Sequence, residues 1–75
     1  MTRGAPDRSV VGWADLTPRE AEVLGLLSTG ATDKQIADRL SLSVHTVKSH
    51  VRSILIKLHA VNRRDAARIA ARPQA

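Results

Sequence analysis

Between residues 44 and about 58, the apolar side chains Val44, Val47, Val51, Ile54 and Leu58 step by three and four, which puts all five on one stripe of an α-helix. Shorter runs with helical spacing precede and follow it. Val23, Leu24 and Leu27 supply the apolar side of a first helix, and Ile36, Ala37 and Leu40 that of a second, about two turns long. A fourth runs through Ala66, Ala67, Ile69 and Ala70 until Pro73 forbids more. Each helix also has a start signal. In Thr17-Pro18-Arg19-Glu20, threonine can cap, proline suits the first helical position and glutamate closes a capping box. Leu16 and Ala21 stand where a weak hydrophobic staple would be, and Gly30 offers the left-handed residue that ends the helix. Thr32-Asp33-Lys34-Gln35 is a second capping box, with Asp33 at the positive end of the helix dipole. Ser41-Leu42-Ser43 must turn the chain, Ser43 can cap the third helix, and Asn62-Arg63-Arg64-Asp65 opens the fourth.

These elements predict an all-α, four-helix domain over residues 15–72. It lies between an arm or linker remnant at 1–14 and a short tail at 73–75. The arm holds Gly4, Pro6 and Gly12 without sustained period and is expected to be flexible, with Trp13 and Leu16 docking where it meets the domain. Periodicity alone says no more, because many small bundles share it. The second and third helices, joined by a three-residue turn, have the helix-turn-helix layout.

Composition narrows what such a domain can do. Seventy-five residues make one small domain of modest stability. Without cysteine, neither disulfides nor thiolate metal ligands are available, which fits a reducing cytoplasm. No apolar run approaches the roughly 20 residues of a membrane span, and residues 1–12 hold no apolar core of a signal peptide. The net charge of +5 is unevenly placed: residues 1–38 carry four basic and six acidic side chains, residues 39–75 eight basic and one acidic. The second half therefore suits a polyanion. With Trp13 as the one aromatic residue, the chain cannot build the stacking platforms that single strands require, so duplex DNA is the better partner.

At about 100° per residue, His45, Lys48, Ser49 and Arg52 cluster within roughly a third of the third helix's circumference, in a sector centred well over 100° from its apolar stripe. With the stripe packed on the first helix, this sector faces outward. A solvated face is ordinary for an amphipathic helix. Here, however, it follows a short capped helix and a tight turn, and it carries long donors that match guanine O6 and N7 in a major groove.

Leu16-Thr17-Pro18-Arg19-Glu20, Glu22-Val23-Leu24, Lys34-Gln35-Ile36-Ala37 with Leu40, Thr46-Val47-Lys48-Ser49-His50, and Lys57-Leu58 followed by Asn62-Arg63 and Ala66 occur in linked order. Over roughly residues 15–71 the chain thereby resembles the LuxR/NarL-type (GerE-type) DNA-binding domain of bacterial transcriptional regulators. The resemblance implies a four-helix domain whose third helix enters the major groove. It implies base-edge contacts by Lys48, Ser49 and Arg52, with His45 a more variable one. Lys34, Ser43 and Thr46 would meet phosphates; His50 would pack or orient a phosphate rather than read bases. Glu20 would be structural, and Arg63 would pair with an acid or touch a phosphate. The fourth helix would dimerise through Ala66, Ala67, Ile69 and Ala70, weakly and on the operator. In most such proteins a sensory or receiver domain precedes this unit, as in response regulators. The present residues fit either an excised output domain or a small stand-alone regulator.

Three positions depart from the pattern. His59 follows Lys57-Leu58 where glycine is usual, so the end of the third helix is expected to differ. Asp33 replaces a common asparagine and would repel a nearby phosphate, and Ile56 projects towards the polar side. Catalysis is not expected. There is no phosphate-cradling glycine loop, Glu20 and Glu22 lie on different helix faces, and His45 and His50 diverge rather than chelate, so no metal or cofactor is implied. The competing readings are an interaction module that contacts RNA polymerase without reading bases, a polymerase-specificity factor region, and a basic amphipathic helix on membranes. The last conflicts with the third helix needing its apolar stripe for the core.

Overall fold

The structure is a computed structural model that describes residues 15–71. The expected arm at 1–14, the docking of Trp13, and the tail with Pro73 lie outside the described residues. The four expected helices are present: α1 (Pro18–Ser28), α2 (Asp33–Leu40), α3 (Val44–Leu58) and α4 (Arg63–Ala70). Among the described residues there is no strand.

Local chemistry starts each helix where the sequence predicts. Thr17 Oγ1 accepts the Glu20 N–H at 3.1 Å while Glu20 Oε1 accepts the Thr17 N–H at 2.9 Å. Thr32 and Gln35 repeat the exchange at 3.1 and 2.8 Å. Ser43 Oγ caps α3 by accepting the Thr46 N–H at 3.0 Å, and Asn62 Oδ1 caps α4 by accepting the Asp65 N–H at 2.9 Å. Such caps satisfy donors that the helix cannot satisfy itself.

The ends of the first three helices share one device. After α1, Gly30 has φ 90°, and the N–H groups of Ala31 and Gly30 return to the Leu26 and Leu27 carbonyls. This is the Schellman arrangement. Ser41 after α2 and His59 after α3 take the same left-handed conformation, at φ 58° and 56°, with Leu42 N–H on Ala37 O and Ala60 N–H on Leu55 O. The end of α3 therefore keeps the left-handed turn despite His59. Its returning hydrogen bonds offset the roughly 1–2 kcal/mol that a Cβ costs there.

The core joins all four helices. It comprises Val23, Leu24 and Leu27 of α1, Ile36 and Ala37 of α2, Val47, Val51, Ile54 and Leu58 of α3, and Ala66 of α4. The packing of α3 is broader than the sequence implies, since it lies against α2 and α4 as well as α1. One member of the stripe falls out of it: Val44 is 39% exposed. It is the first residue of α3, and helical side chains tilt towards the N-terminus, so Val44 points past the edge of the core. Leu16 packs partly buried against the core, ahead of α1.

Candidate nucleic-acid interface

Three sides of α3 are held by its neighbours, and the fourth is open. His45, Lys48, Ser49 and Arg52 are all exposed on it. With Ser53, Ile56 and Lys57 they line one shallow depression along the helix. Lys48 and Arg52 enter no ion pair or side-chain hydrogen bond among the described residues. Their charges are therefore free to meet a partner. Ile56, expected towards this side, is 69% exposed and extends the same surface by one turn beyond Arg52.

The expected phosphate contacts divide by position. Ser43 and Thr46 sit together at the start of α3, where the Ser43 hydroxyl accepts the Thr46 N–H and donates to Thr46 Oγ1 at 2.9 Å. Ser43 is thus occupied as a cap, and it leaves the Thr46 hydroxyl proton directed elsewhere. The N–H groups of Val44 and His45 belong to the first turn, which has no intrahelical acceptors, and add partial positive charge there. Lys34 is exposed at the second position of α2. His50 is half-buried, between the core stripe and the open face.

What holds the open face in position was only half legible. Glu20, expected as a capping-box residue, is also the one buried charged group among the described residues, 6% exposed. Its Oε2 accepts the Ser53 hydroxyl at 2.6 Å, and its Oε1 accepts Lys57 Nζ at 2.7 Å. One carboxylate thus ties the first turn of α1 to the second half of α3. Burial pushes this carboxyl up, but hydrogen bonds from Lys57, Ser53 and the Thr17 N–H, with the charge of Lys57, outweigh it and lower the pKa to about 2. The sequence reading missed Ser53 and Lys57 as partners. The available signal was their four-residue spacing, which puts both on one face beside the apolar stripe.

Arg63, for which an acid and a phosphate were both open, pairs with Asp33 at 2.5 Å and also donates to the Ala31 carbonyl at 2.9 Å. In α4, Arg68 pairs with Asp65, whose second oxygen accepts the Val61 N–H. The residues of the expected dimer face differ in burial. Ala66 is fully buried in the chain's own core. Ala67, Ile69 and Ala70 are half-buried against that core and retain some outward surface.

Residues 14–70 match the family described as GerE, bacterial regulatory proteins of the luxR family. The chain is 52% identical over 52 residues, 69% of its length, to the DNA-binding transcriptional activator DevR/DosR of Mycobacterium tuberculosis. It is 44% identical over 52 residues, again 69% of its length, to the monoamine regulon transcriptional regulator of Klebsiella aerogenes. To the HTH-type transcriptional regulator MalT of Vibrio cholerae it is 39% identical over 61 residues, or 81% of its length. The matched segment spans 24%, 23% and 7% of those three relatives, so it corresponds to a minor part of each.

Proposed function

Because the chain belongs to the luxR family of bacterial regulatory proteins, we propose that it is a DNA-binding domain of a transcriptional regulator that reads duplex sequence with α3. One observation carries this reading: the exposed His45, Lys48, Ser49 and Arg52 form a continuous face on a helix whose other sides are held by the core. A helix fits the major groove of B-DNA, and preorganised side chains on its N-terminal half can reach base edges. Lys48 and Arg52 donate to guanine O6 and N7. Ser49 and His45 make shorter contacts beside them. Lys34, Thr46 and the N-terminal amides of α3 meet phosphates, and His50 orients that edge. Ser43 serves through its cap.

This is binding without catalysis, and with duplex DNA as partner its compartment is the bacterial cytoplasm. Two copies pair weakly on the operator through Ala67, Ile69 and Ala70 of α4, with half-sites about 10–10.5 base pairs apart. The roles of these relatives as transcriptional regulators support the reading. To test it, duplexes selected from a random pool are titrated into the isotope-labelled chain. Chemical shifts of Lys48, Ser49 and Arg52 should move the most. Shifts confined to other surfaces, or failure to enrich any duplex, would overturn the assignment.

A further inference from the structure

The first turn of α2 places opposite charges side by side, Asp33 at its first position and Lys34 at its second. Lys34 is exposed. The Asp33 side chain is 24% exposed and is met by Arg63 Nη1. The other arm of the same guanidinium donates to the Ala31 carbonyl, so Arg63 grips the approach to α2 with two fixed donors. Arg63 is itself the first residue of α4, so the pair spans the two helix starts. Of its cationic neighbours on that helix, Arg68 is engaged by Asp65, and Arg64 is exposed without a partner among the described residues.

A carboxylate at a helix N-terminus suits the helix dipole, but it opposes any phosphate that approaches the same end. We propose that Arg63 is a positioning residue for DNA binding: it neutralises Asp33 and so keeps the start of α2 attractive to the phosphate that Lys34 meets, without itself touching DNA. The proposal rests on the reading of Lys34 as a phosphate contact. A purely structural role fits less well. The two side chains are 38% and 24% exposed, so the pair is only part-buried and its share in folding is modest; the thermal melts below measure that share separately from DNA affinity. An uncancelled unit charge at the start of α2 instead opposes a phosphate there, by about three- to sevenfold in affinity where water screens most of the field.

The test uses the full chain and one duplex selected from a random pool. Affinities of wild type, Arg63→Ala, Asp33→Asn, the double variant and Lys34→Ala are measured over a salt series, with a thermal melt of each. Arg63→Ala should bind about three- to sevenfold more weakly at low salt, and the deficit should shrink as salt screens the exposed carboxylate. Adding Asp33→Asn should restore affinity to within about twofold of wild type, because the charge that Arg63 answered is gone. Asp33→Asn alone should bind at least as tightly as wild type. The proposal is overturned if Arg63→Ala binds like wild type, if its deficit is independent of salt, or if the double variant stays as weak. Should Lys34→Ala also leave affinity and salt slope unchanged, the phosphate reading of α2 fails, and the proposal with it. A weakened Lys34→Ala without rescue in the double variant removes the Arg63 role alone.

Discussion

Along the open side of α3, two cations near its middle and one near its end have opposite circumstances. Among the described residues Lys48 and Arg52 project without partners, whereas Lys57, one turn beyond Ser53 on the same depression, is spent on the buried carboxylate of Glu20. A count of basic residues makes these positions equivalent. Their surroundings leave the first pair exposed, as the proposed reading of DNA requires, and make the last a fastening. The difference teaches that charge near a duplex is useful only where the protein has not already neutralised it, and that the neutralised part holds the free part in place. A helix presented to a groove must arrive at a fixed angle, and Glu20 supplies a rigid link between α1 and α3 to set it.

The largest expected effect comes from cutting the fastening. Glu20→Ala removes the partner of Lys57 and Ser53 and half of the capping box at Thr17, and should cost about 3 kcal/mol of stability. Urea denaturation at neutral pH measures it, and a loss below about 1 kcal/mol would mean that the network is ornamental. For so small a domain, a cost of the expected size is a large part of the total.

Acid should loosen the same link with comparable effect. In the unfolded chain Glu20 takes up its proton near the ordinary value of 4.5, and in the fold only near 2. Between those values the unfolded chain binds more protons, so falling pH favours unfolding. The contribution, on the order of 3 kcal/mol, is fully present above 4.5 and gone below about 2. Wild type should therefore lose stability through that window and Glu20→Ala should lose less. Parallel acid titrations of the two proteins would discredit the link if they superimposed.

On the binding face the order reverses. Arg52→Ala should cost roughly 1–3 kcal/mol in DNA affinity and relax preference at one base pair, with stability changed by less than about 0.5 kcal/mol. Lys57→Ala should do the opposite, lowering stability and leaving base preference as it was. Competition among single-base operator variants separates the two outcomes; unchanged preference in Arg52→Ala would remove its role as a reader. The smallest effect belongs to Lys34→Ala, which should weaken all duplexes alike and flatten the logarithmic salt dependence by about one unit. A strongly sequence-dependent effect there would contradict a phosphate contact.

Legibility in the sequence followed the range of the interactions. The helices and their caps were readable because each cap links residues three or four apart, as Thr17 with Glu20 and Thr32 with Gln35 do. The exposed sector of α3 was readable for the same reason, since helical rotation alone separates Lys48 and Arg52 from Val47 and Val51. Val44 broke the pattern because periodicity ignores where a helix leaves its neighbours. His59 broke it in the other direction, adopting a left-handed turn that returning hydrogen bonds support.

By itself, then, the sequence determined the four helices, their starts, the apolar seam and the polar sector opposite it, since all of these arise from contacts within a turn or two of chain. Tertiary structure alone decided which charges remain free. Ser53 and Lys57 reach Glu20 across 33 and 37 residues, and Arg63 reaches Asp33 across 30. It also decided that Ala66 is buried in the core while Ala67, Ile69 and Ala70 keep some outward surface. Such pairings depend on how helices pack around a shared interior, and no local spacing encodes the distance between side chains that meet only once the chain has folded.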